Sequence, residues 1–577
     1  MAKVHARTFE WSFDAPPGAL WPALGDTARF NEAAGIPKHT IEEALQDDGR
    51  VRFFACAHKG PLGLPIALAW EETPVEWVDH RWFRHCREFS KGPLRMLCAT
   101  LELEPAGKGG AVGHCKVEVS AANLLGTLVL ATMFFPIVRR IFTRLADQAA
   151  EWASGTRARP YERPLRALGA EAQARIDHIV ERVERSPNGH GLAARLVDWM
   201  LRGQEFDLFR IRPIALARHW DVPERHAIEM CLQAVREGFL ELRWDLLCPR
   251  CRGAKFVVDS LDQLPTDAHC GSCNIYYDRD FARNIEITFH PTAAVREVLD
   301  GEFCHFGTAT TPHVRVQVKL DPGEARTLPA NIAAGDYRLR TLEAAGESDI
   351  AFDVGRFPEV VAEAGDVRPG ANTAEAGAIV LVDNDAGRRA LIVESLEWVA
   401  DALTAHNVTT MQAFRDLFEN ETLRPEDEME VSQITLIFTD LKDSTAFYER
   451  VGDAVLAAFG ELADAVRAAL AIQEQFRAFN AEPNDGEMIL KVGIHAGRSI
   501  AVTLNDQLDY FGSTVNLAAR LQSEAAGGDI IVSQTLADDP VAPPLLAPST
   551  MTTEERSIKG FAEPVTYHRL SAAALAS

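Results

Sequence analysis

The sequence predicts a multidomain protein of the α+β class, and three observations support this prediction. The chain of 577 residues is too long for a single hydrophobic core, since domains of ordinary size would divide it into about four. Its composition, 47% hydrophobic and 25% charged, is that of a folded globular protein. Strand-like and helix-like patterns alternate along the chain, separated by turn residues and by the acidic linker RPEDEMEVS. We therefore expect successive regions at 1–157, 158–245, 246–300, 301–428 and 429–577.

The formal net charge of -24 restricts the partners that the chain can have. A field of this sign repels nucleic acid and anionic membranes, so we expect neither as a partner. The N-terminal segment MAKVHARTFEWSFDAPP lacks a continuous apolar stretch and predicts neither a signal peptide nor an anchor. Without an export signal, the 10 cysteines indicate a reducing compartment. We therefore expect a cytoplasmic protein whose clustered cysteines bind metal and whose scattered ones are core residues.

The longest apolar run is LLGTLVLATMFFPIV at 124–138. It is shorter than the roughly 20 residues that a membrane-spanning helix needs, and it contains Pro136. We therefore predict no transmembrane segment. The run is interpreted as a buried helix that continues into the amphipathic VRRIFTRLADQAAEWA.

Residues 1–157 combine this helix with strand-like runs, namely VRFFACAH, GLPIALAWEE, LRMLCATLELEP and GHCKVEVSA. Strands wrapped around one long helix can enclose a cavity. Together with the opening FEWSFDAPPGALWPALGDTARFN, this order resembles the helix-grip fold of START-like and polyketide-cyclase-like domains. The resemblance implies an apolar small ligand held under the helix. The alternative is a packing domain without a ligand.

Residues 158–245 have a helical pattern that ends in a strand. In PERHAIEMCLQAVREGFLELRWD the apolar residues recur at helical spacing, and Gly238 predicts the end of the helix before FLELRW. Two helices followed by a strand are typical of a small winged-helix unit. Between residues 201 and 255, however, ten basic residues stand against eight acidic ones. This balance disfavours DNA binding and a role as a transcription factor.

The region 246–300 contains two CxxC pairs, CPRC and CGSC, with eighteen residues between them. Each CxxC turn directs two thiolates at one point, and two such turns complete a tetrahedral sulfur site that suits Zn2+. With four protein ligands no position is open for catalysis, so the pattern predicts a structural zinc ribbon. The predicted ligands are Cys248, Cys251, Cys270 and Cys273.

Residues 301–428 begin with short β runs, such as HVRVQVKL, DYRLRTL and GAIVLVDN, separated by turn residues. These runs predict a small β-sandwich. The following LIVESLEWVADALTAHNVTTMQAFRDLFENETL is interpreted as one or two helices that lead into the acidic linker.

The last region contains polar residues that are suited to binding a metal ion, a ribose and a phosphate. An apolar strand delivers Asp440 at its carboxyl end, where a carboxylate can hold Mg2+. A second carboxylate, Asp453, precedes another strand, and a helix follows it. The segment MILKVGIHAGRSIAVTL is a predicted hairpin. If NLAAR opens a helix, Asn516 and Arg520 lie one turn apart on one face, a pair that suits a ribose and a phosphate.

The segments LIFTDLKDST, GDAVLAAF, KVGIHAG, DYFGSTVNLAAR and IKGFAEPV resemble, in the same order, the motifs of class III adenylate and guanylate cyclases. The likeness covers about 431–570. It implies a ferredoxin-like catalytic domain whose site forms between two copies, so that the chain works as a homodimer. The order of zinc ribbon, β-domain and cyclase also resembles a bacterial group.

The resemblance implies a role for each matched residue. Asp440 and Asp453 would hold two Mg2+ or Mn2+ ions. Asn516 would orient the ribose and Arg520 would stabilise charge on the α-phosphate. The remaining matches are Asp509, which favours ATP over GTP by accepting from the adenine amino group, and Lys559, which reaches the terminal phosphates.

The interval between the two carboxylates departs from the family pattern. Only twelve residues separate Asp440 from Asp453, whereas a crossover helix alone takes about a dozen. The family's helices and one strand therefore do not fit, so the domain is shortened, and the next strand should form an exposed edge. The family's purine-selecting lysine is replaced by Glu449, and Asp453 could belong to either of the two motifs joined here. Two functions stay open: an active cyclase, or a catalytically impaired regulatory protein that binds nucleotide.

Overall fold

The computed structural model describes most of the chain. The described residues are 3–45, 51–60, 65–163, 169–270, 273, 275–280, 283–293, 295–298, 301–304, 307–343, 346–397, 400–409, 411–418, 429–441, 454–481, 488–504, 507–511, 513–547, 549–558, 561 and 564–571.

The N-terminal region is an antiparallel sheet covered by helices. Its elements are β1 (Val4–Phe13), α1 (Pro17–Leu24), α2 (Thr27–Ala34), β2 (Thr40–Leu45), β3 (Val51–Ala57), β4 (Leu68–Glu72), β5 (Glu76–Val78), β6 (Trp82–Lys91), β7 (Leu94–Ala106), β8 (Gly110–Ala121), α3 (Leu124–Thr132) and α4 (Phe134–Ala153). The strands are joined in the order β1-β8-β7-β6-β5, and β2, β3 and β4 extend from β6. Leu20 of α1, Leu103 of β7 and Leu145 of α4 share one buried core. The long helix α4 therefore packs on the sheet face.

The prediction that 124–138 is one buried helix is wrong. The run forms two helices, α3 and α4, that meet at an angle of 54°. Pro136 lies in the first turn of α4, where its missing N–H has no intrahelical partner to lose. Much of α3 faces solvent, with Leu124 89% and Leu128 61% exposed. Among the described residues no single helix is long and apolar enough to cross a membrane, although this bent pair passes the same test by length and composition.

The structure also differs from the expectation that every scattered cysteine is an unpaired core residue. Cys86 of β6 and Cys98 of β7 are direct cross-strand partners, and they form a disulfide. The sequence expectation rested on the compartment and on the scattered, apolar positions of these cysteines, whereas the pairing follows from a strand register that the pattern does not reveal.

The second region is helical and continues into small sheets. Its elements are α5 (Ala170–Arg185), α6 (Ala193–Arg202), α7 (Glu205–Phe209), α8 (Pro213–Trp220), α9 (Glu224–Arg236), β9 (Leu240–Leu247), β10 (Ala254–Val258), β11 (Asp267–Cys270), β12 (Ile275–Asp278) and β13 (Ile285–Pro291). The predicted helix before Gly238 is α9, and Gly238 has a φ of 78° that suits glycine. Strands β10, β9 and β13 form one antiparallel sheet, and β11 and β12 form a hairpin.

The third region consists of two sheets that share a core. Its elements are β14 (Val314–Leu320), β15 (Ala325–Pro329), β16 (Gly335–Thr341), β17 (Ser348–Phe352), β18 (Pro358–Glu363), β19 (Asp366–Thr373), β20 (Ala378–Asp383), β21 (Arg389–Ser395), α10 (Ala405–Thr409) and α11 (Gln412–Leu417). Strands β14, β21, β16 and β17 continue the N-terminal sheet through β5, and the second sheet has the order β15-β20-β18-β19. Val318 and Leu391 from the first sheet pack against Leu381 from the second.

The start of the predicted helix at 391 is a further correction. Arg389–Ser395 is a strand of the sheet interior, paired on both sides, by β14 and by β16. All but the first of its residues are buried. An apolar run buried on both faces has no alternation, so its sequence pattern does not separate strand from helix.

The C-terminal region is a sheet with helices on both faces. Its elements are β22 (Met429–Leu441), β23 (Ala454–Phe459), α12 (Leu462–Ala481), β24 (Leu490–Leu504), β25 (Gln507–Phe511), α13 (Ser513–Glu524), β26 (Ile530–Ser533), α14 (Gln534–Ala537), α15 (Ala542–Leu546), β27 (Thr550–Arg556) and β28 (Val565–Ser571). The sheet order is β23-β22-β24-β26-β28-β27, with β25 paired to β24. Ile437 packs in the core under α12, whereas the adjacent Leu436 packs in the core that contains Ala518 of α13. Helices α12 and α13 therefore cover opposite faces of the sheet.

Two expectations for this sheet can be compared with its topology. The segment 488–504 is not itself a hairpin, because β24 runs unbroken through Gly493 and Gly497 and turns back to β25 only after Leu504. The exposed edge is present, since within the described residues β23 pairs with β22 alone. The side chain of Val455 on this strand is correspondingly exposed, at 59%.

Candidate active site

Asp440 lies at the carboxyl end of β22, next to the last residue of the strand. It is opposite Lys491 of β24 on one side and Ala454 of β23 on the other. Asp440 is half-buried, and the Gln522 Nε2 amide of α13 donates to its Oδ2 oxygen at 3.4 Å. The carboxylate thus faces α13.

Two glycines of β24 allow α13 to lie directly on the sheet. A methyl group at Gly493 would come within 2.2 Å of the Gln522 backbone nitrogen and 2.8 Å of the Ala518 carbonyl oxygen. At Gly497 a methyl group would come within 2.8 Å of the Thr514 hydroxyl. Because these distances are shorter than ordinary contacts, the helix can approach this closely only where the strand has no side chains. The spacing of the glycines therefore determines where α13 lies.

The outward face of α13 carries Asn516 and Arg520. Both are exposed, and within the described part of the chain no hydrogen bond or ion pair holds either side chain. Residues four apart share a helix face, whereas residues two apart differ by about 200°. Since Gln522 faces Asp440, Arg520 points away from it. The structure thus places the predicted amide and guanidinium together, as expected, but on the far side of the helix from the carboxylate.

The other predicted site residues are only partly described. The backbone of Asp509 lies in β25 opposite Val502, and its side chain lies outside the described residues. Asp453 and Lys559 lie outside the described residues altogether.

Sequence reasoning missed Gln522 and His495 as residues that support this site. His495 of β24 is buried, and its Nδ1 lies 2.8 Å from the Ser533 hydroxyl. Burial lowers the pKa of His495 to about 4, so the imidazole is neutral at neutral pH. The repeated glycines around it in GIHAG were the available signal, because glycine within a strand often marks a close backbone approach.

A second candidate site is the cluster of four cysteines between β9 and β12. The sulfur atoms of Cys248, Cys251, Cys270 and Cys273 all lie within 4.8 Å of one another. The Cys251 and Cys270 sulfurs are 3.7 Å apart. Zinc–sulfur bonds of about 2.3 Å at tetrahedral angles place sulfurs about 3.8 Å apart. The Arg250 backbone N–H also points at the Cys248 sulfur, at 3.4 Å. The cluster thus has the dimensions of a tetrahedral thiolate site.

Comparison with known families divides the chain. Residues 456–539 match the family described as the adenylate and guanylate cyclase catalytic domain. This match includes Asp509, Asn516 and Arg520, and it begins after Asp440 and Asp453. Residues 178–305, which contain the cysteine cluster, match a family of unknown function, DUF5939.

Individual relatives agree over short stretches. A Rhizobium meliloti protein named "Putative adenylate cyclase 3" is 36% identical over 87 residues, which are 15% of this chain and 14% of that protein. An uncharacterized protein of Mycobacterium tuberculosis is 35% identical over 88 residues, which are 15% of this chain and 31% of that protein. The chain thus spans less than a third of each of these relatives.

Among solved structures, the guanylate cyclase domain of RhGC from Catenaria anguillulae is 20% identical, with a TM-score of 0.22, over 25% of this chain and 98% of that one. The family match supports a class III nucleotidyl cyclase domain within the C-terminal region.

Proposed function

We propose that the protein is a nucleotidyl cyclase that converts ATP to cyclic AMP and pyrophosphate and works as a homodimer. The observation that carries this proposal is the division of the site by α13. Gln522 reaches back to Asp440, whereas Asn516 and Arg520 face outward. One chain cannot bring both sides of a helix to the same substrate. In a two-fold dimer the outward face of α13 from one chain can meet the carboxylate of the other.

Asp440 suits a ligand of Mg2+ or Mn2+. It is a half-buried carboxylate at a strand end, and the Gln522 amide lies 3.4 Å from its Oδ2, while no described residue hydrogen-bonds its Oδ1, which is left for a cation. We propose Asp453 as the second carboxylate. Metal ions bound there would lower the pKa of the ribose 3′-hydroxyl and offset the charge of the triphosphate.

The remaining residues would bind and orient the nucleotide. In the reaction the 3′-oxygen loses its proton and bonds to the α-phosphorus, and pyrophosphate leaves with the bridging oxygen. Asn516 would orient the ribose, and Arg520 would stabilise the charge on the α-phosphate as that bond breaks. Asp509 would accept from the adenine amino group, which favours ATP, with GTP as the alternative, and Lys559 would reach the terminal phosphates.

Mixing two inactive variants tests the two-chain site. Asp440→Asn and Arg520→Ala each remove one group from both sites of a homodimer, so each variant alone should be inactive. A mixed dimer has one complete site, so random mixing in equal amounts should restore about a quarter of the wild-type rate of cyclic AMP formation. The matched control mixes Arg520→Ala with Asn516→Ala. These residues lie on the same helix face, so no complete site forms and no activity should return. Recovery of activity in this control mixture would contradict the proposal. So would a test mixture that stays inactive although both variants are shown to be dimers.

A second candidate function is a catalytically impaired, nucleotide-binding regulator. The exposed edge at β23 favours it, because the shortened segment before this strand leaves its outer hydrogen-bonding side without a partner in the described residues. One measurement distinguishes the two functions. Purified dimeric protein that binds ATP with Mn2+ but forms neither cyclic AMP nor cyclic GMP would be a regulator.

We further propose that the cysteine cluster holds a structural Zn2+ ion and that the regions before the cyclase domain regulate it. Four thiolates at tetrahedral spacing leave no open coordination position, so the role is structural. The cluster stabilises a region that the catalytic sheet packs against, since Cys270 and Leu436 belong to one continuous buried core.

A further inference from the structure

The N-terminal region encloses an apolar cavity of about 340 Å3. It lies between the sheet and the helices α2, α3 and α4. Aromatic and aliphatic side chains form most of its wall, among them Trp11, Phe30, Leu101, Val117 and Ile141. A cavity of this size and character is in the range that holds a small organic ligand.

A buried polar cluster forms part of this wall. His85 and Arg87 of β6 line the cavity, and both contact the buried Glu72 carboxylate. Glu72 Oε1 lies 2.7 Å from His85 Nε2, and its other oxygen accepts from the Trp70 indole. Burial alone would raise the pKa of the Glu72 carboxyl, but Arg87 and His85 hold that pKa below its ordinary value. Glu72 is therefore an anion whose two oxygens already have donors.

Arg87 is left with an unused pair of donors. Its side chain is 8% exposed and lies 3.5 Å from Glu72 through Nε, which is too long for a good hydrogen bond. Within the described residues its Nε and Nη2 are buried without a hydrogen-bond partner. These two nitrogens form the side-on edge of the guanidinium, the edge that binds the two oxygens of a carboxylate. Buried donors are normally hydrogen-bonded. A ligand that accepts from Nε and Nη2 explains why the described residues provide no acceptor for them.

The other polar groups near the cavity are weaker candidates for binding a polar ligand group. Asn31 donates to the Phe303 carbonyl and Thr27 to the Cys304 sulfur, so both have partners within the chain. Glu72, His85 and Cys304 are close enough to share a cation. However, the Arg87 guanidinium lies against the same carboxylate and would repel one.

We propose that this cavity binds an amphipathic carboxylate, with its alkyl chain in the apolar cavity and its head on the side-on edge of Arg87. The neighbouring His39 packs on Trp70, and its Nε2 is also buried without a hydrogen-bond partner in the described part of the chain. This inference does not depend on the cyclase activity. It goes beyond the apolar ligand expected from the sequence, because it specifies an anionic head and the residue that binds it.

Dodecanoate and dodecan-1-ol, added separately to the full-length protein, test the proposal. They share an alkyl chain and differ in the head. Binding is followed by calorimetry and by tryptophan fluorescence, because Trp11 and Trp70 both line the cavity. We expect saturable binding of dodecanoate at least about tenfold tighter than that of the alcohol, as for a bidentate charged pair. Equal affinities, or no saturable binding of either probe, would overturn the proposal.

Three variants assign the effect to Arg87. Arg87→Met should bring the dodecanoate affinity down to that of the alcohol while leaving alcohol binding intact, which also shows that the cavity still forms. If this variant does not fold, Arg87→Lys keeps the charge but loses the two-pronged edge, and it should weaken only dodecanoate. Arg84→Met is the matched control, because Arg84 lies on the same strand with an exposed side chain, and it should bind like the wild type. A dodecanoate preference that survives in Arg87→Met would refute the assignment.

Discussion

Replacing Gly493 by alanine is the sharpest test of how α13 is positioned on the sheet. The new methyl carbon would stand 2.2 Å from the Gln522 nitrogen and 2.6 Å from the Gln522 Cα. Both are backbone atoms of α13, so no side chain can rotate out of the way. Ordinary contacts begin near 3.5 Å, so the helix must move outward by about 1 Å. A displacement of this size at a catalytic group can reduce turnover by about 100-fold.

The assay measures cyclic AMP formation by purified Gly493→Ala protein, with its unfolding by urea followed in parallel. Overpacking of this kind costs about 1–3 kcal/mol of stability, so the variant should be less stable but folded. Gly387→Ala is the matched control, because a methyl group at Gly387 would meet nothing within 4 Å. Gly493→Ala protein with the turnover of the wild type would refute the reasoning, since it would mean that the position of α13 does not determine activity.

Three further predictions concern the core, the cysteine cluster and pH. Phe414 is buried and meets Trp244 edge to face at 6.0 Å, so Phe414→Ala should lower the free energy of unfolding by about 3–5 kcal/mol in urea titrations. Elemental analysis should find one zinc ion per wild-type chain and none in Cys251→Ser, because three thiolates do not complete the tetrahedron. Burial lowers the pKa of His495 to about 4 from the ordinary 6.5, so below pH 6.5 the unfolded state binds a proton that the folded state does not. The titration of His495 therefore leaves the free energy of unfolding unchanged above pH 6.5 and lowers it by about 3 kcal/mol as the pH falls to 4. His495→Gln should lose less stability than the wild type over this interval, and equal losses would contradict the assignment.

Local sequence patterns were sufficient where one residue type decides the structure. Gly238 ends α9 because its φ of 78° suits glycine. The two CxxC pairs predicted that four sulfurs would meet, and they lie within 4.8 Å of one another. The helical spacing of NLAAR placed Asn516 and Arg520 on one face. In each case the constraint acts over a few residues.

Patterns failed where the outcome depends on what a segment packs against. The apolar run at 124–138 has the composition of a buried helix, yet the sheet covers only part of it and leaves Leu124 exposed. The run at 389–395 is a strand because β14 and β16 pair with its two edges, and the packing of the sheet buries residues on both of its faces. The glycines of β24 resemble turn residues, but their function is to admit α13, and only the position of that helix reveals it. That α13 separates Arg520 from Asp440 could not be predicted either, because the motif gives spacing and not the direction of the sheet.

The C-terminal sheet is joined to the rest of the chain by a continuous set of contacts. Glu32 of α2, a helix that borders the cavity, accepts from the backbone N–H groups of Glu205 and Phe206, at 2.7 and 3.0 Å. This start of α7 leads to β13, where the Ile287 N–H donates to the Leu403 carbonyl at 2.9 Å.

Beyond Leu403, the contacts reach the edge strand of the C-terminal sheet. His406 of α10 hydrogen-bonds to the backbone of Gly460, directly after the strand β23 that pairs with Asp440. Helices α10 and α11 pack in the core that contains both Trp244 of β9 and Ala518 of α13. Contiguity alone does not transmit a signal, because coupling requires an element with two arrangements. Helices α10 and α11 are where such an element would have to act, since they contact β13 and α9 and belong to the same buried core as α13. A cavity ligand that changes turnover should therefore lose this effect in Phe414→Ala protein while still binding, because Phe414 anchors α11 to β9.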